Sequence, residues 1–405
     1  MAIDFQHREL PNGLRVIAEV DPAAHTAAAG FFVRTGARDE APEVMGVSHY
    51  LEHMMFKGTE NVSADELNQR FDAMGARNNA YTSSEMTCFY AHVLPERTLD
   101  AARLLAEMMR PALRQKDFDT EKGVILEEIA MYKDNPFWVL YEACLERHYA
   151  QHPLGHRVLG TDQTITDLTS DAMRAYFHNR YSADNTVVAL AGQIDFDACC
   201  DAIAEVCADW RPTGATRDPN LPPVTDSELQ LRDPNVSRGY TILVTPGPSV
   251  EDDRRYAAAL LSQVLGAPDN SRLHWALIET GLAEEAQASF DAHDGLGEFF
   301  VYASGDPARL AEIRAVIDHE LETLIESVTE DDLERLRAKL ATGVTLGGER
   351  PADRMQRLGR QWTLRNTYTT LEEELERINR VTLDDLRAVH EAFPFRPRTV
   401  ATLTP

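Results

Sequence analysis

The segment 46–59 carries two histidines and a glutamate at a spacing that suits metal chemistry. On a helix, His49 and His53 lie one turn apart on the same face, so both imidazoles can reach one metal ion. Glu52 directly precedes His53 and lies beside the two rings. The pattern His-x-x-Glu-His therefore predicts two metal ligands and a base on a single rigid turn.

Two imidazoles need a further protein ligand, and catalytic metal sites commonly take a carboxylate for it and leave one position to water. The segment 120–132 fits this role, because its apolar positions recur at helical spacing and it is rich in carboxylates. Glu121 and Glu128 lie two turns apart on the same side of this helix. Glu128 could then bind the metal, while Glu121 accepts a hydrogen bond from a ligand histidine.

The other histidines and the cysteines are weaker candidates. His148, His152 and His156 also recur at every fourth position, but Pro153 and Gly155 break the helix that would align them. The five cysteines are odd in number and contain no Cys-x-x-Cys spacing, which disfavours a disulfide framework or a cysteine metal site. We expect them to be buried thiols.

The elements that must position these residues fall into two halves. A proline-rich stretch at 211–223 can hold neither a helix nor a central strand. We therefore predict a metal-binding domain at 1–210, a linker at 211–226 and a second domain at 227–405. The second domain has no His-x-x-Glu-His motif.

Both halves show the same order of predicted elements, offset by about 210 positions, which indicates an internal repeat. The first half has a strand at 27–34, a helix, a second helix capped by Ser63, a strand at 86–93 and a helix at 96–109. The matching ranges in the second half are 240–244, 256–265, 272–279, 298–303 and 307–324. This order favours an α+β fold of two homologous domains, each an antiparallel sheet with helices packed on one face.

The composition excludes several classes of protein. The 405 residues are 43% hydrophobic and 26% charged, and no apolar run is long enough to cross a bilayer, so we expect no membrane span. The net charge of −26 repels a phosphate backbone, so nucleic acid is not an expected partner. The first residues resemble no signal or transit peptide, and we expect a cytoplasmic protein.

Together these segments resemble the pitrilysin/insulinase metallopeptidases, which carry the inverted motif His-x-x-Glu-His. The resemblance is closest to short-chain members related to the β subunit of mitochondrial processing peptidase, and it covers most of the first half. It extends to residues 10–14, 79–82, 121–128 and 192. The resemblance implies the LuxS/processing-peptidase-like metallohydrolase fold.

The resemblance also implies a zinc-dependent peptidase. One zinc ion per chain would be bound by His49, His53 and Glu128, with Glu121 behind a ligand histidine. Glu52 would be the general base that takes a proton from the water as it attacks a peptide carbonyl.

A further segment is similar to the family's substrate-binding edge, where an extended peptide adds as a strand. This segment is Asn79, Ala80, Tyr81 and Thr82, just before the strand predicted at 86–93. Taken alone, Asn79 is equally typical of an ordinary turn.

The second half departs from the family pattern. Family members that complete the site have a segment like Arg-Glu-Lys-Arg-Gly-Leu-Ala-Tyr, whose Arg and Tyr stabilise the developing oxyanion. Here Leu277 and Glu284 stand at the positions of that Arg and Tyr. We therefore expect a heterodimer with a homologous subunit that carries the Arg/Tyr segment, with a homodimer as the alternative.

The sequence thus predicts a zinc metalloendopeptidase subunit that hydrolyses extended or unfolded peptides. One alternative is a non-catalytic scaffold or assembly subunit, a role of some relatives in respiratory complexes, but such a subunit has no need for costly carboxylates beside histidines. Another is a structural zinc site, which four protein ligands would normally close.

Overall fold

The computed structural model describes residues 3–405 of the chain. Its strands are β1 (Asp4–Glu9), β2 (Arg15–Val20), β3 (Ala27–Val33), β4 (Arg77–Thr82), β5 (Thr87–Val93), β6 (Thr186–Gly192), β7 (Ser227–Arg232), β8 (Gly239–Gly247), β9 (Glu285–Ala292), β10 (Gly297–Gly305) and β11 (Thr399–Thr404). Its α-helices are α1 (Val47–Met55), α2 (Ala64–Ala73), α3 (Thr98–Met108), α4 (Gln115–Lys133), α5 (Pro136–Tyr149), α6 (Asp162–Asp167), α7 (Ser170–Arg180), α8 (Phe196–Val206), α9 (Arg255–Gly266), α10 (Leu310–Ser327), α11 (Glu330–Gly347), α12 (Pro351–Arg365), α13 (Leu371–Arg380) and α14 (Leu383–Ala392).

The first sheet has the spatial strand order β1-β2-β6-β3-β5-β4. Strands β2 and β6 are parallel, and the other neighbours are antiparallel. The tight turn between β1 and β2 uses Gly13 in a left-handed backbone conformation with φ of 87°, which favours glycine. Strand β4 forms one edge of this sheet.

The second sheet repeats this arrangement in the order β7-β11-β8-β10-β9. Its strands β7 and β11 are parallel, and the following pairs are antiparallel, as in the first sheet from β2 to β4. Helix α9 follows β8 in the chain as α1 follows β3. The predicted α+β fold with two homologous domains is confirmed.

The chain divides into two compact units that exchange segments. The first unit consists of the chain up to Ala130, with His156–Asp218 and Leu346–Tyr368. The second consists of Met131–Gly155, Pro219–Thr345 and Thr369–Pro405. The change at Asp218 falls inside the predicted linker, whereas the exchanged segments have no counterpart in the predicted division into 1–210 and 227–405.

The exchanged segments are helices that cover a sheet built mostly from the other half of the chain. Helix α12 packs on β2, β3 and β6, and α5 packs on β7, β8 and β11. Glycines permit the close approach of α12, because a Cβ on Gly30 would overlap the sulfur of Met355 and a Cβ on Gly359 would overlap the ring of Phe32. Two helical segments therefore belong to cores that lie far from them in sequence.

The remaining predictions about the class of protein concern membrane spans and thiols. Within residues 3–405, no helix combines the length and the apolar character that a membrane span needs. The five cysteines are buried and form no disulfide among the described residues. Burial raises the pKa of each thiol, for example that of Cys200 to about 11, so they are weak nucleophiles.

Candidate metal centre

Helix α1 carries the histidine motif and is anchored at its first turn by a remote carboxylate. Its N-cap is Gly46, with φ of 95° and no side chain that could accept a hydrogen bond. The carboxyl group of Glu40 accepts the backbone N–H groups of Gly46 at 2.6 Å and of Ser48 at 2.7 Å. Burial raises the pKa of Glu40 to about 8. Glu40 thus supplies the cap that the glycine lacks.

The two histidines of α1 meet a carboxylate from α4. The imidazole rings of His49 and His53 are 4.7 Å apart, and their Nε2 atoms lie 3.7 and 3.6 Å from Oε2 of Glu128. One ligand atom from each residue lies within 4.8 Å of the other two. In the part of the chain that the structure describes, these residues form the one group of three with this geometry. They could hold a metal ion.

The second ring nitrogen of His53, Nδ1, contacts a carboxylate of α4. This nitrogen lies 2.8 Å from Oε1 of Glu121, and Nζ of Lys57 lies 2.5 Å from Oε2 of the same carboxylate. Burial alone would raise the pKa of Glu121, but its hydrogen bonds to His53 and Lys57 lower it. Glu121 therefore stays ionised and fixes the orientation of the His53 ring.

Glu52 lies on the same helix but outside this group of three. Its Oε2 accepts a hydrogen bond of 2.6 Å from the hydroxyl of Thr82, the last residue of β4. Burial raises the pKa of Glu52, and the bond from Thr82 and the charge of His53 oppose that shift. A carboxyl group beside the candidate metal centre is thus poised to ionise nearer neutral pH.

The predicted substrate segment is an edge strand. Asn79, Ala80, Tyr81 and Thr82 all belong to β4, which pairs with β5 on one side only. Tyr81 donates a hydrogen bond of 2.9 Å to Gln356, and Ala80 is buried. The hydroxyl of Thr82, which is also predicted to bind substrate, donates its hydrogen bond to Glu52.

The histidines near residue 150 do not converge. Helix α5 ends at Tyr149, as Pro153 and Gly155 predict, and a 3-10 turn follows. Nδ1 of His148 lies 3.1 Å from the hydroxyl of Thr399, whereas His152 bonds the carbonyl of Asn220. His148 and His152 therefore have separate hydrogen-bond partners and do not share a ligand position.

The two substituted positions of the second half have partners that their sequence context did not predict. The side chain of Leu277 is completely buried in the core of the second unit. Glu284 forms an ion pair with Arg238. Neither side chain, however, can donate a hydrogen bond to a ligand.

Sequence patterns missed two groups that support the site, and they did not predict the contact that a third, Thr82, makes with Glu52. Glu40 and Lys57 act through Ser48 and Glu121, and Thr82 reaches Glu52 from a strand 30 residues away along the chain. Of these contacts, only the one made by Glu40 had a signal in the sequence. That signal is the glycine at the N-cap of α1, because a helix that begins without a side-chain cap needs an acceptor from elsewhere.

The fold and this cluster define a two-domain α+β protein with a candidate metal centre in its first unit. Residues 15–162 match the model of the family described as Insulinase (Peptidase family M16), and residues 167–340 match that of the Peptidase M16 inactive domain. The chain belongs to the insulinase family, Peptidase family M16.

Two curated relatives match over nearly the whole chain. A Streptomyces coelicolor protein named as an uncharacterized zinc protease is 33% identical, and the match covers 94% of this chain and 85% of the relative. The Bacillus subtilis protein named as the uncharacterized zinc protease YmxG is 30% identical, with 97% of each chain covered.

Solved structures show the same fold. A protease from Helicobacter pylori superimposes with a TM-score of 0.92 at 22% identity, and 100% of each chain is covered. A peptidase M16 inactive domain from Pseudomonas fluorescens gives a TM-score of 0.89 at 19% identity, covering 100% of this chain and 98% of that one.

Proposed function

We propose that this chain is the zinc-binding subunit of a metalloendopeptidase that hydrolyses extended or unfolded peptides. The observation that carries the proposal is the convergence of His49, His53 and Glu128, with Glu52 on the same helix as both histidines. Zinc is the metal in the names of the relatives that are 30% and 33% identical to this chain. We take one zinc ion per chain as the expected content.

The distances between the ligand atoms fit one zinc ion. The separations of 3.7 and 3.6 Å from Glu128 to the two histidines are too long for hydrogen bonds. Ligand atoms at about 2.1 Å from a tetrahedral ion stand about 3.4 Å from one another. Burial, with the charge of His53, lowers the pKa of His49 to about 3, so its imidazole is neutral and offers a lone pair at neutral pH.

The residues around this group suit the hydrolysis of a peptide bond. A bound zinc ion would supply a Lewis acid that polarises a carbonyl and lowers the pKa of water. Glu52 would accept the proton of the attacking water and pass it to the leaving amine. Because Thr82 binds Oε2 of Glu52, the other carboxylate oxygen is left to take that proton.

The edge strand β4 supports an extended peptide as the substrate. Its unpaired side offers backbone N–H and C=O groups, to which a peptide can add as a further strand. Residues 79–81 of that strand lead directly to Thr82 and hence to Glu52. A folded protein seldom has a free strand of this length, so unfolded peptides are the expected substrates.

We also infer that a second, homologous subunit completes the site, with a homodimer as the alternative. The support is the absence of a donor at Leu277 and Glu284, where the family resemblance expects Arg and Tyr. The cytoplasm stays the predicted location, and nucleic acid is not expected as a partner because of the net charge of −26.

The alternative function is a non-catalytic scaffold subunit. The burial of Glu121 and His49 and the raised pKa of Glu52 argue against it, because buried ionisable groups cost stability and a scaffold gains nothing from them. The inactive-domain match is confined to residues 167–340, outside the segment that carries the motif.

Metal analysis combined with peptide turnover tests the proposal. We expect about one zinc per chain, loss of turnover of an unfolded peptide after chelation, and recovery when zinc is restored. The assay is run with the chain alone and with a homologue that carries the Arg/Tyr segment. Zinc-free protein, or zinc-loaded protein without turnover in either assay, would favour the scaffold.

A further inference from the structure

The second unit has a surface cavity of about 370 Å³ that contains no residue of the candidate metal centre. It lies between the end of α9, the π-helical turn His274–Ile278 and the first turns of α11. Its polar wall consists mainly of Arg272, Asp332 and Arg335, and its apolar wall of Val264 and Trp275. This volume is near the lower end of the range of small-ligand pockets, about 300–1,000 Å³.

The charges in the cavity do not balance. One carboxylate, that of Asp332, serves two guanidinium groups, with Nη2 of Arg272 at 3.4 Å and Nη2 of Arg335 at 3.3 Å. Asp332 also accepts hydrogen bonds from the backbone and hydroxyl of Thr329, at 3.2 and 2.9 Å. The wall therefore has an excess of one positive charge, in a protein whose net charge is −26.

The two arginines keep donors for a ligand. Within the described residues, both arginines make all their hydrogen bonds through Nη2. Nη2 of Arg272 donates to Ser327 and Asp332, and Nη2 of Arg335 donates to Asn270 and Asp332. Their Nε and Nη1 groups are left to solvent or to a ligand. A carboxylate can accept one such N–H group from each guanidinium group in a charge-assisted hydrogen bond.

Trp275 provides an apolar surface beside these donors. Its side chain is 56% exposed, although a large aromatic ring is usually buried in a monomeric protein. It lies in a π-helical turn, and such turns are frequently found at functional sites. Tryptophan and arginine are enriched among the residues that contribute most to binding, and together they can contact an apolar and an anionic part of one ligand.

We propose that this cavity binds the free carboxyl terminus of a peptide, with the terminal carboxylate on Arg272 and Arg335 and the last, apolar side chain on Trp275. A single excess positive charge matches one carboxylate. The strongly negative protein disfavours multiply charged anions such as phosphates. The choice of a peptide as the ligand rests on the proposed function, in which such a site would anchor the end of a substrate.

The test is a fluorescence titration of the full-length, metal-free protein. The ligand is N-acetyl-L-leucine, and N-acetyl-L-leucinamide is the matched compound without the charge. We expect a saturable change in tryptophan emission with the acid and binding at least about tenfold weaker with the amide, because a charge-assisted hydrogen bond is lost. Trp275→Phe should remove the signal, which distinguishes this indole from the other three tryptophans.

Two charge variants locate the carboxylate. Arg335→Gln should weaken binding of the acid about ten- to a hundredfold, and Arg335→Lys should restore part of it because the positive charge is kept while the donor changes position. The control is Lys339→Gln, which also removes one positive charge. Lys339 is exposed, lies one turn after Arg335 on α11 and does not line the cavity, so this variant should leave binding unchanged. Melting temperatures of all variants check that they are folded.

Several outcomes would overturn the proposal. These are equal binding of acid and amide, a signal that persists in Trp275→Phe, an equal effect of Lys339→Gln and Arg335→Gln, or tighter competition by inorganic phosphate than by the acid. A failure of zinc binding or peptide turnover would refute the proposed function and leave this titration unchanged. Equal binding of acid and amide would refute this site and leave turnover unaffected.

Discussion

Helices α1 and α9 occupy the same place in the topology of their units, yet α1 carries two histidines and a glutamate and α9 carries none. Each follows the strand at the centre of its sheet and precedes the edge strand. In α1, apolar residues such as Tyr50 and Leu51 face the core while His49, Glu52 and His53 face α4 or β4. In α9, the buried positions hold alanine, leucine, valine, tyrosine and serine, with no histidine or carboxylate.

This difference shows that the shared order of strands and helices does not by itself place ionisable groups beside the helix. Both units build the same succession of strands, but within residues 3–405 a buried histidine lies on α1, whereas α9 carries neither a histidine nor a carboxylate. Glu40, Glu121 and His49 are each less than a tenth exposed, and burial of such groups costs free energy unless partners compensate. The second unit has instead a continuous apolar core under α9. We interpret the first unit as the one that has kept buried ionisable groups for its candidate metal centre at the expense of stability.

The largest expected effect comes from the removal of the base from the first unit. Glu52→Gln keeps the shape of the side chain but cannot accept a proton, so peptide turnover should fall about 10²- to 10⁴-fold while zinc content stays near one per chain. Glu128→Gln should lower zinc affinity itself, because a ligand is replaced. Turnover and zinc content of both variants are measured together.

The control for these variants is Glu127→Gln on the same helix. Glu127 is exposed and lies outside the group of three ligands, so neither zinc content nor turnover should change. Loss of metal in Glu52→Gln with metal retained in Glu128→Gln would reverse the roles that we assign to them.

The next prediction concerns hydrogen-bond donors that the second unit lacks and that a partner subunit would supply. Leu277 is sealed in the core and Glu284 is paired with Arg238, so neither can donate to a developing oxyanion. Loss of one such donor slows catalysis about a hundred- to a thousandfold. We therefore expect the chain alone to be slower by that factor than its mixture with a homologue that carries the Arg/Tyr segment. Equal kcat/KM for the chain alone and for the mixture would contradict this prediction.

A smaller effect concerns the carboxylate behind His53. Glu121→Gln and Lys57→Met each disturb the chain of contacts that orients this ring, and zinc affinity should fall about ten- to a hundredfold. Lys57→Arg should retain most of the affinity, because the positive charge beside Glu121 is kept. Competition with a chelator measures the affinity without any need for turnover.

Lys116→Met is the matched control for Lys57→Met. Lys116 is an exposed lysine in the first turn of α4, the helix that carries Glu121, and its side chain contacts no ligand. The same zinc affinity in Lys57→Met and Lys116→Met would show that the ion pair does not orient the histidine.

The sequence pattern was sufficient for the parts of the molecule that are local. The i, i+4 spacing of His49 and His53 predicts their common face, and the capping box at Ser63 marks the start of α2, where its hydroxyl accepts the N–H of Glu66. Helical periodicity and the needs of a metal ion made Glu128 a candidate for the third residue, and the family resemblance selected it. Short-range geometry is encoded by residue type and spacing, and these features depend on nothing else.

Contacts between distant segments could not be predicted in this way. The exchange of α5 and α12 between the units depends on which apolar helix face fits which sheet, and many faces have the same periodicity. The small residues Gly30 and Gly359 decide that fit for α12, but a glycine within a strand can equally mark a bulge or a tight bend. The bond from Thr82 to Glu52 likewise requires the position of β4 beside α1.

The smallest expected effect is a dependence of stability on pH that arises from Glu40 in the first unit. The pKa of Glu40 is raised by burial from its ordinary value of 4.5 to about 8. Between these values the folded protein holds a proton that the unfolded chain has released, so this group makes the protein less stable as pH rises from about 5 to about 8. Glu40→Gln cannot titrate, and it also loses one of the two N–H groups accepted from α1.

The melting temperature of metal-free protein at several pH values tests this sign. Relative to Glu40→Gln, the wild type should be most stable at pH 5 and should lose that advantage steadily towards pH 8. Glu43 is an exposed residue of the same loop, so its carboxylate is not buried as that of Glu40 is. The melting temperature of Glu43→Gln should therefore change with pH as that of the wild type does. A constant difference between wild type and Glu40→Gln at every pH would show that the carboxyl group titrates normally. Glu40 would then cost no stability at neutral pH. Helices α1 and α9 would still differ in the chemistry of their side chains, but Glu40 would add no difference in stability.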